Sequence, residues 1–179
     1  MKTLLSILTV AALATGTAFA GPMMYNDKKV IKEVIVEDVC NFRDFEIQLD
    51  GYFAGVAAER SSGATINSGL GGGVGLNVIF ARYFGLGVEY TPYSNAGVAE
   101  HLVIGNFFLR YPICSLNLAP YAMVGGGAGW DGTSIGFGHV GGGLEWRPIQ
   151  NVGLFADGRW LYGAPDNFAL MRTGVRLAF

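Results

Sequence analysis

From residue 44 to the C-terminus the chain alternates between apolar residues and polar or small ones with a period of two. In 44–56, Phe45, Ile47, Leu49, Gly51 and Phe53 oppose Glu46, Gln48 and Asp50. In 69–80, Val74, Leu76, Val78 and Phe80 oppose Gly73, Gly75 and Asn77; after a tight turn at Ala81 and Arg82, 83–91 sets Phe84, Leu86, Val88 and Tyr90 against Gly85, Gly87 and Glu89. The stretch 97–111 sets Val103, Phe107, Leu109 and Tyr111 against Glu100, Asn106 and Arg110, less cleanly, because Leu102, Ile104 and Phe108 share the polar face. Four more follow: 115–126, 134–147, 151–162 and 168–179, the last setting Met171, Val175, Leu177 and Phe179 against Arg172, Gly174 and Arg176. A period of two is that of a strand with unlike faces. Eight such segments joined by short turns predict a closed, antiparallel up-and-down β-barrel.

Composition decides which face is outside. Glycine makes up 28 of 179 residues, and only 15% of residues are charged. Two stretches, 61–81 and 111–130, carry no charge, but their glycines and prolines make them poor helices. A soluble barrel would turn its polar face outward. Here that face is mostly glycine, and no lysine follows Lys32, too little charge to solvate an exterior. Its acids (Glu46, Asp50, Glu89, Glu100, Glu145, Asp157) nearly balance its arginines (Arg110, Arg147, Arg159, Arg172, Arg176). That is the composition of a lumen whose buried charges pair. On the apolar face, Phe80, Phe84, Tyr111, Trp146 and Phe179 fall near one rim, and Phe53, Tyr90, Trp160 and Tyr162 near the other. Aromatic girdles of this kind mark the two interfaces of a membrane barrel. The apolar face is therefore expected to meet lipid, and the barrel to be transmembrane.

Residues 1–20 read as a secretory signal peptide: Lys2, an apolar run over 4–13, and small Ala18 and Ala20 before Gly21. The run is too short to span a bilayer, and no cysteine offers a lipid anchor at the cleavage site. Export places Cys40 and Cys114 in an oxidising compartment. The slight net charge of −2 argues against a nucleic-acid partner.

The chain ends Arg172-Thr173-Gly174-Val175-Arg176-Leu177-Ala178-Phe179. The spacing of Arg172, Gly174, Leu177 and the terminal Phe179 resembles the assembly signal of bacterial outer-membrane barrels, which the barrel assembly machinery recognises. The region 44–179 is thus similar to the small eight-stranded barrels of the outer membrane protein A and OmpX-like family. That resemblance implies the outer membrane as location and its lipid and the assembly machinery as partners. It puts Phe179 and the turns near Arg82, Cys114 and Gln150 on the periplasmic side. The segments 57–68, 92–96, 128–132 and 163–167 are then extracellular. Cys40 and Cys114 both fall on the periplasmic side, where a disulfide between them would fasten the N-terminal segment across the barrel base; free thiols or a bond between chains are the alternatives. Residues 21–43 are expected to form a periplasmic extension or cap.

Catalytic chemistry is thin. Gly136 to Gly141 matches G-x-G-x-x-G, but a Trp-Arg-Pro strand end follows it rather than a helix that could hold a phosphate. The two histidines, His139 on the lumen face and His101 near the outer rim, lack a serine two residues on, as a lipid deacylase would need. No enzyme, cofactor or metal site is expected. Eight strands enclose a lumen that side chains can fill, although glycines 73, 75, 85, 87, 141, 143 and 174 leave room for a narrow conduit. The expectation is a structural, envelope-integrity protein that is not a general porin. The alternatives are a surface-binding barrel acting through its loops on an unidentified ligand, and a lipid-modifying barrel enzyme.

Overall fold

The structure, a computed structural model, describes residues 40–58, 68–95, 98–130, 134–163 and 167–179. Residues 1–39, which hold the expected signal peptide and most of the expected N-terminal extension, and residues 59–67, 96–97, 131–133 and 164–166 lie outside the described residues. Eight strands run in order: β1 (Glu46–Ala58), β2 (Gly69–Phe80), β3 (Phe84–Asn95), β4 (Val98–Arg110), β5 (Leu118–Trp130), β6 (Ser134–Ile149), β7 (Val152–Gly163) and β8 (Asn167–Ala178). Each pairs antiparallel with the next, and β1 closes on β8. The seam runs from Gln48 opposite Ala178 to Ala58 opposite Phe168. Ile47 and Phe179 extend it, exchanging both of their backbone hydrogen bonds. Closure leaves no strand edge unpaired, the condition for crossing a hydrocarbon layer with strands.

The faces separate as the alternation requires. Phe53 is 78% exposed, while its neighbour Tyr52 is 6% exposed and points inward. Ile47, Leu49, Val74, Leu76, Leu86, Val88, Leu109, Val124, Val140, Leu154 and Val175 are all exposed, an apolar exterior that water would not tolerate at this extent. The aromatics assigned to the two rims are likewise exposed.

Strand ends differ from the expected bounds. β3, β5 and β7 run on through Asn95, Trp130 and Gly163, because cross-strand pairing continues into the presumed loops, with Asn95 opposite Val98 and Trp130 opposite Ser134. At the opposite end, residues 115–117 are not strand. Cys114–Leu116 forms a 3-10 turn, and Asn117 closes it at φ 51°. β1 begins at Glu46 rather than at 44, since residues 40–45 form a strap under the barrel. β6 lengthens to Ile149 through an irregularity between Trp146 and Ile149. Pro148, which has no N–H to give the ladder, lies within it.

Candidate functional site

The site is the lumen, and side chains fill it in three layers. The first lies at the end that carries the β2–β3, β4–β5 and β6–β7 turns. Residues 40–44 cross this mouth from the start of β1 to the far wall. Cys40 is bonded to Cys114 in the β4–β5 turn. The Asn41 amide donates to the Arg147 carbonyl (2.9 Å), and Arg147 Nη1 donates to the Asn41 carbonyl (3.0 Å). Asp44 pairs with Arg82 in the β2–β3 turn at 2.9 Å. Between these ties Phe42 is 1% exposed, its ring lying 4.5 Å from the Arg147 guanidinium and 5.0 Å from that of Arg110. Both distances are within the range of a cation–π contact.

Above Phe42 lies the second layer, the ion pairs. Arg147 forks onto Glu46 (2.7 and 3.1 Å) and also meets Glu145, two residues away on its own strand. Arg110 reaches Glu46 at 3.0 Å. Arg176 forks onto Asp50, its direct cross-strand partner, with both contacts at 2.7 Å, and also reaches Glu145 at 2.8 Å. Deeper in the barrel, Arg172 forks onto Asp157, again its cross-strand partner (2.9 and 2.5 Å), and approaches Glu89 at 2.8 Å. Arg159 crosses the lumen to fork onto Glu89 (2.8 and 2.9 Å). The planar guanidinium matches a carboxylate with two parallel bonds, the strongest form such a pair takes. Neutral donors occupy remaining lone pairs: Gln48 on Glu46 (2.6 Å), Asn77 on Asp50 (2.9 Å) and the Tyr121 hydroxyl on Asp157 (2.9 Å). Tyr121 joins the two groups of pairs, since its ring also lies 5.6 Å from the Arg176 guanidinium.

In this way ten of the predicted charges, Glu46, Asp50, Glu89, Arg110, Glu145, Arg147, Asp157, Arg159, Arg172 and Arg176, form one buried belt around the lumen. Glu100 lies nearer the opposite end, where its cross-strand partner Tyr93 donates a hydroxyl hydrogen bond to it.

The third layer corrects the expectation of a lumen filled chiefly by paired charges. Toward the opposite end, beside the β1–β2, β3–β4, β5–β6 and β7–β8 connections, Tyr52, Val56, Tyr93, Leu102, Ile104, Phe137, Phe155, Leu161, Phe168 and Leu170 form an apolar core. Phe137 and Phe168 meet edge to face at 5.5 Å between centroids. Leu102 and Ile104, which blurred the alternation of β4, belong here.

The lumen glycines lie where large neighbours fit. A Cβ on Gly73 would meet the Tyr52 hydroxyl at 2.6 Å, one on Gly143 would meet Asp157 Cβ at 2.5 Å, and one on Gly141 would meet Arg159 Cγ at 2.8 Å. A small cavity, of about 10 Å³, lies beside Gln48, Ile79, Phe108, Arg110, Tyr121 and Arg176, room for about one water.

Of the residues matched to the assembly signal, Arg172 and Gly174 face inward. A Cβ on Gly174 would meet Tyr52 Cβ at 2.6 Å. Leu177 and Phe179 face out. Residues 136–141 are continuous strand within β6, with no helix to receive a phosphate. His139 Nε2 lies 3.4 Å from the Gly105 carbonyl. His101 pairs through Nδ1 with the Tyr90 hydroxyl at 2.8 Å, and its ring stacks between those of Tyr90 and Trp130. Among the described residues, no group of three or more His, Cys, Asp or Glu side chains could hold a metal ion.

Sequence reading missed Phe42, because the strap has no period to read. The neighbouring Cys40 was the one available signal.

No protein-family model matches the chain, and no curated protein matches its sequence. Solved structures do match in fold. The N-terminal β-barrel domain of Pseudomonas aeruginosa OprF aligns at a TM-score of 0.59 and 16% identity, over 75% of this chain and 97% of that one. Ail, the attachment invasion locus protein of Yersinia pestis, was solved in complex with the heparin analogue sucrose octasulfate. It aligns at 0.57 and 13%, over 76% and 100%. Neisserial surface protein A aligns at 0.55 and 17%, over 76% and 98%. The fold is therefore that of the small eight-stranded outer-membrane barrels.

Proposed function

We propose that this chain is an integral outer-membrane barrel with a structural role in envelope integrity, neither an enzyme nor a general diffusion pore. The observation that carries this reading is a lumen occupied in depth by the Phe42 strap, the ion-pair belt and the apolar core. A barrel filled this way offers lipid contact outside and rigidity inside, and no aqueous path between. In this reading the end holding both the strap and Phe179 faces the periplasm. The barrel assembly machinery reads the last strand, and outer-membrane lipid covers the apolar exterior.

The test is outer-membrane permeability to an apolar dye in a deletion strain, complemented with the wild-type chain or with a variant whose residues 59–67, 96–97, 131–133 and 164–166 are replaced by unrelated residues. Restoration by both supports a structural role of the barrel itself. Restoration by the wild type alone moves the function to the loops and their ligand. A lipid A mass spectrum that changes on deletion would replace both with lipid chemistry. Heat-modifiable migration on a detergent gel tests the premise, since a closed membrane barrel resists detergent until boiled.

A further inference from the structure

Among the described residues, the strap is the one part of the lumen filling that does not belong to a strand, and a covalent bond ties its first described residue, Cys40, to Cys114. Both cysteines, Cys40 and Cys114, are half-buried rather than buried. The other ties are lighter. The Asp44–Arg82 pair is exposed at the surface, with side-chain exposures of 79% and 33%, where an ion pair contributes little. Asn41 holds the chain by two hydrogen bonds to Arg147, and the Arg43 amide donates to Glu46.

Ordering the strap costs conformational entropy, and the disulfide opposes that cost by fixing the strap's upstream end to the far wall.

We propose that the Cys40–Cys114 bond is a redox latch. It holds Phe42 in the mouth and keeps the Glu46–Arg110–Arg147 layer dry, and its reduction opens that end of the barrel into a hydrated vestibule. The reductant is a dithiol. It transfers two electrons and two protons, the S–S bond breaks to give the Cys40 and Cys114 thiols, and the dithiol is oxidised to its own disulfide. The apolar core beyond stays shut, so the opened form is a cup and not a pore. That the cup faces the periplasm rests on the functional reading above; the latch itself does not.

The experiment is hydrogen–deuterium exchange by mass spectrometry on the purified full-length barrel in detergent, before and after treatment with a dithiol under native conditions. Reduction is verified by the gain of two hydrogens in intact mass. The latch predicts that exchange in peptides covering 41–47, 109–114 and 144–149 rises about tenfold or more, while 86–92 and 154–160 keep their protection. A Phe42→Ala variant with the disulfide intact should give part of that increase without reductant. Three results would overturn the proposal: a bond that native dithiol cannot reduce, full reduction with no change at the mouth, or an equal rise in all strands, which would make the bond a global staple. Labelling the reduced thiols of intact cells with a membrane-impermeant maleimide reads the sidedness separately. Labelling from outside would overturn the periplasmic assignment without touching the exchange result.

Discussion

Single residues decide whether the lumen holds. Arg147 is fully buried, forks onto Glu46, meets Glu145 and lies over the Phe42 ring. Replacing it with methionine keeps much of the volume but strips one cation from two carboxylates that cannot reach water. A buried pair broken on one side costs about 3–5 kcal/mol. Urea unfolding of Arg147→Met, with the barrel refolded into short-chain lipid, should show a loss of that size. The glycines give a sharper contrast. Gly143 and Gly158 both lie in strand interiors, but a Cβ on Gly143 runs into the Ala156 carbonyl at 2.5 Å, whereas one on Gly158 meets nothing within 4 Å. Overpacking of the first kind costs about 1–3 kcal/mol. An alanine in open space recovers about 0.5–1 kcal/mol of the entropy a strand glycine loses. Gly143→Ala should therefore lower the unfolding free energy and Gly158→Ala should leave it equal or raise it, in the same urea titration. Equal losses at both would show that the inner and outer faces have been misassigned.

At the level of elements, β8 combines two roles that substitutions can separate. Arg172 and Gly174 face inward, one locked to Asp157 and Glu89 and the other pressed on Tyr52, while Leu177 and Phe179 face out. Gly174→Val should impair the refolded barrel itself, because its side chain must displace Tyr52. Phe179→Ala removes an outward ring and should shift in vitro unfolding by no more than about 1 kcal/mol, yet reduce the amount assembled in cells. Unfolding titrations set against outer-membrane yield distinguish the two. Much of this was legible in the residues. Period-two alternation located all eight strands and both faces, and pairs that sit directly across a ladder, Asp50 with Arg176 and Asp157 with Arg172, follow once two strands are placed side by side. Contacts that cross the lumen, Arg159 to Glu89 and Arg147 to Glu46, depend on barrel radius and side-chain reach, which no local pattern encodes. The apolar layer was obscured for a related reason. Where Leu102, Ile104 and Phe108 face inward, both faces of β4 are apolar, and alternation loses its contrast. The strap was hidden because irregular backbone has no period, and only its disulfide and Phe42 show what it does.

For the whole barrel, what matters is that the three layers lie in series along one axis. A path through the barrel must pass the Phe42 strap, then the ion-pair belt, then the apolar core, and conduction is set by whichever is most closed. Phe42→Ala should clear the first layer and nothing beyond it. A double variant Phe137→Ala with Phe168→Ala should loosen the third, at a cost of about 3–5 kcal/mol for each buried ring removed, while leaving Arg147, Arg176 and their carboxylates across the middle. Planar-bilayer recordings should therefore find the wild type, Phe42→Ala and the Phe137/Phe168 double variant all without steady conductance, even though Phe42→Ala exposes the mouth to exchange. A single-layer variant that conducts would show that the belt is a hydrated filter and not a plug, because only a belt with mobile water among its charges could pass ions once an end is opened. It would also change the meaning of the near balance of acids and arginines. In a dry lumen the balance is required, since an unmatched buried charge is too costly to keep; in a wet one it would be a setting of ion selectivity. Silence from the wild type and both variants keeps the barrel a solid strut, whose interior chemistry serves to hold its wall rigid against the surrounding lipid.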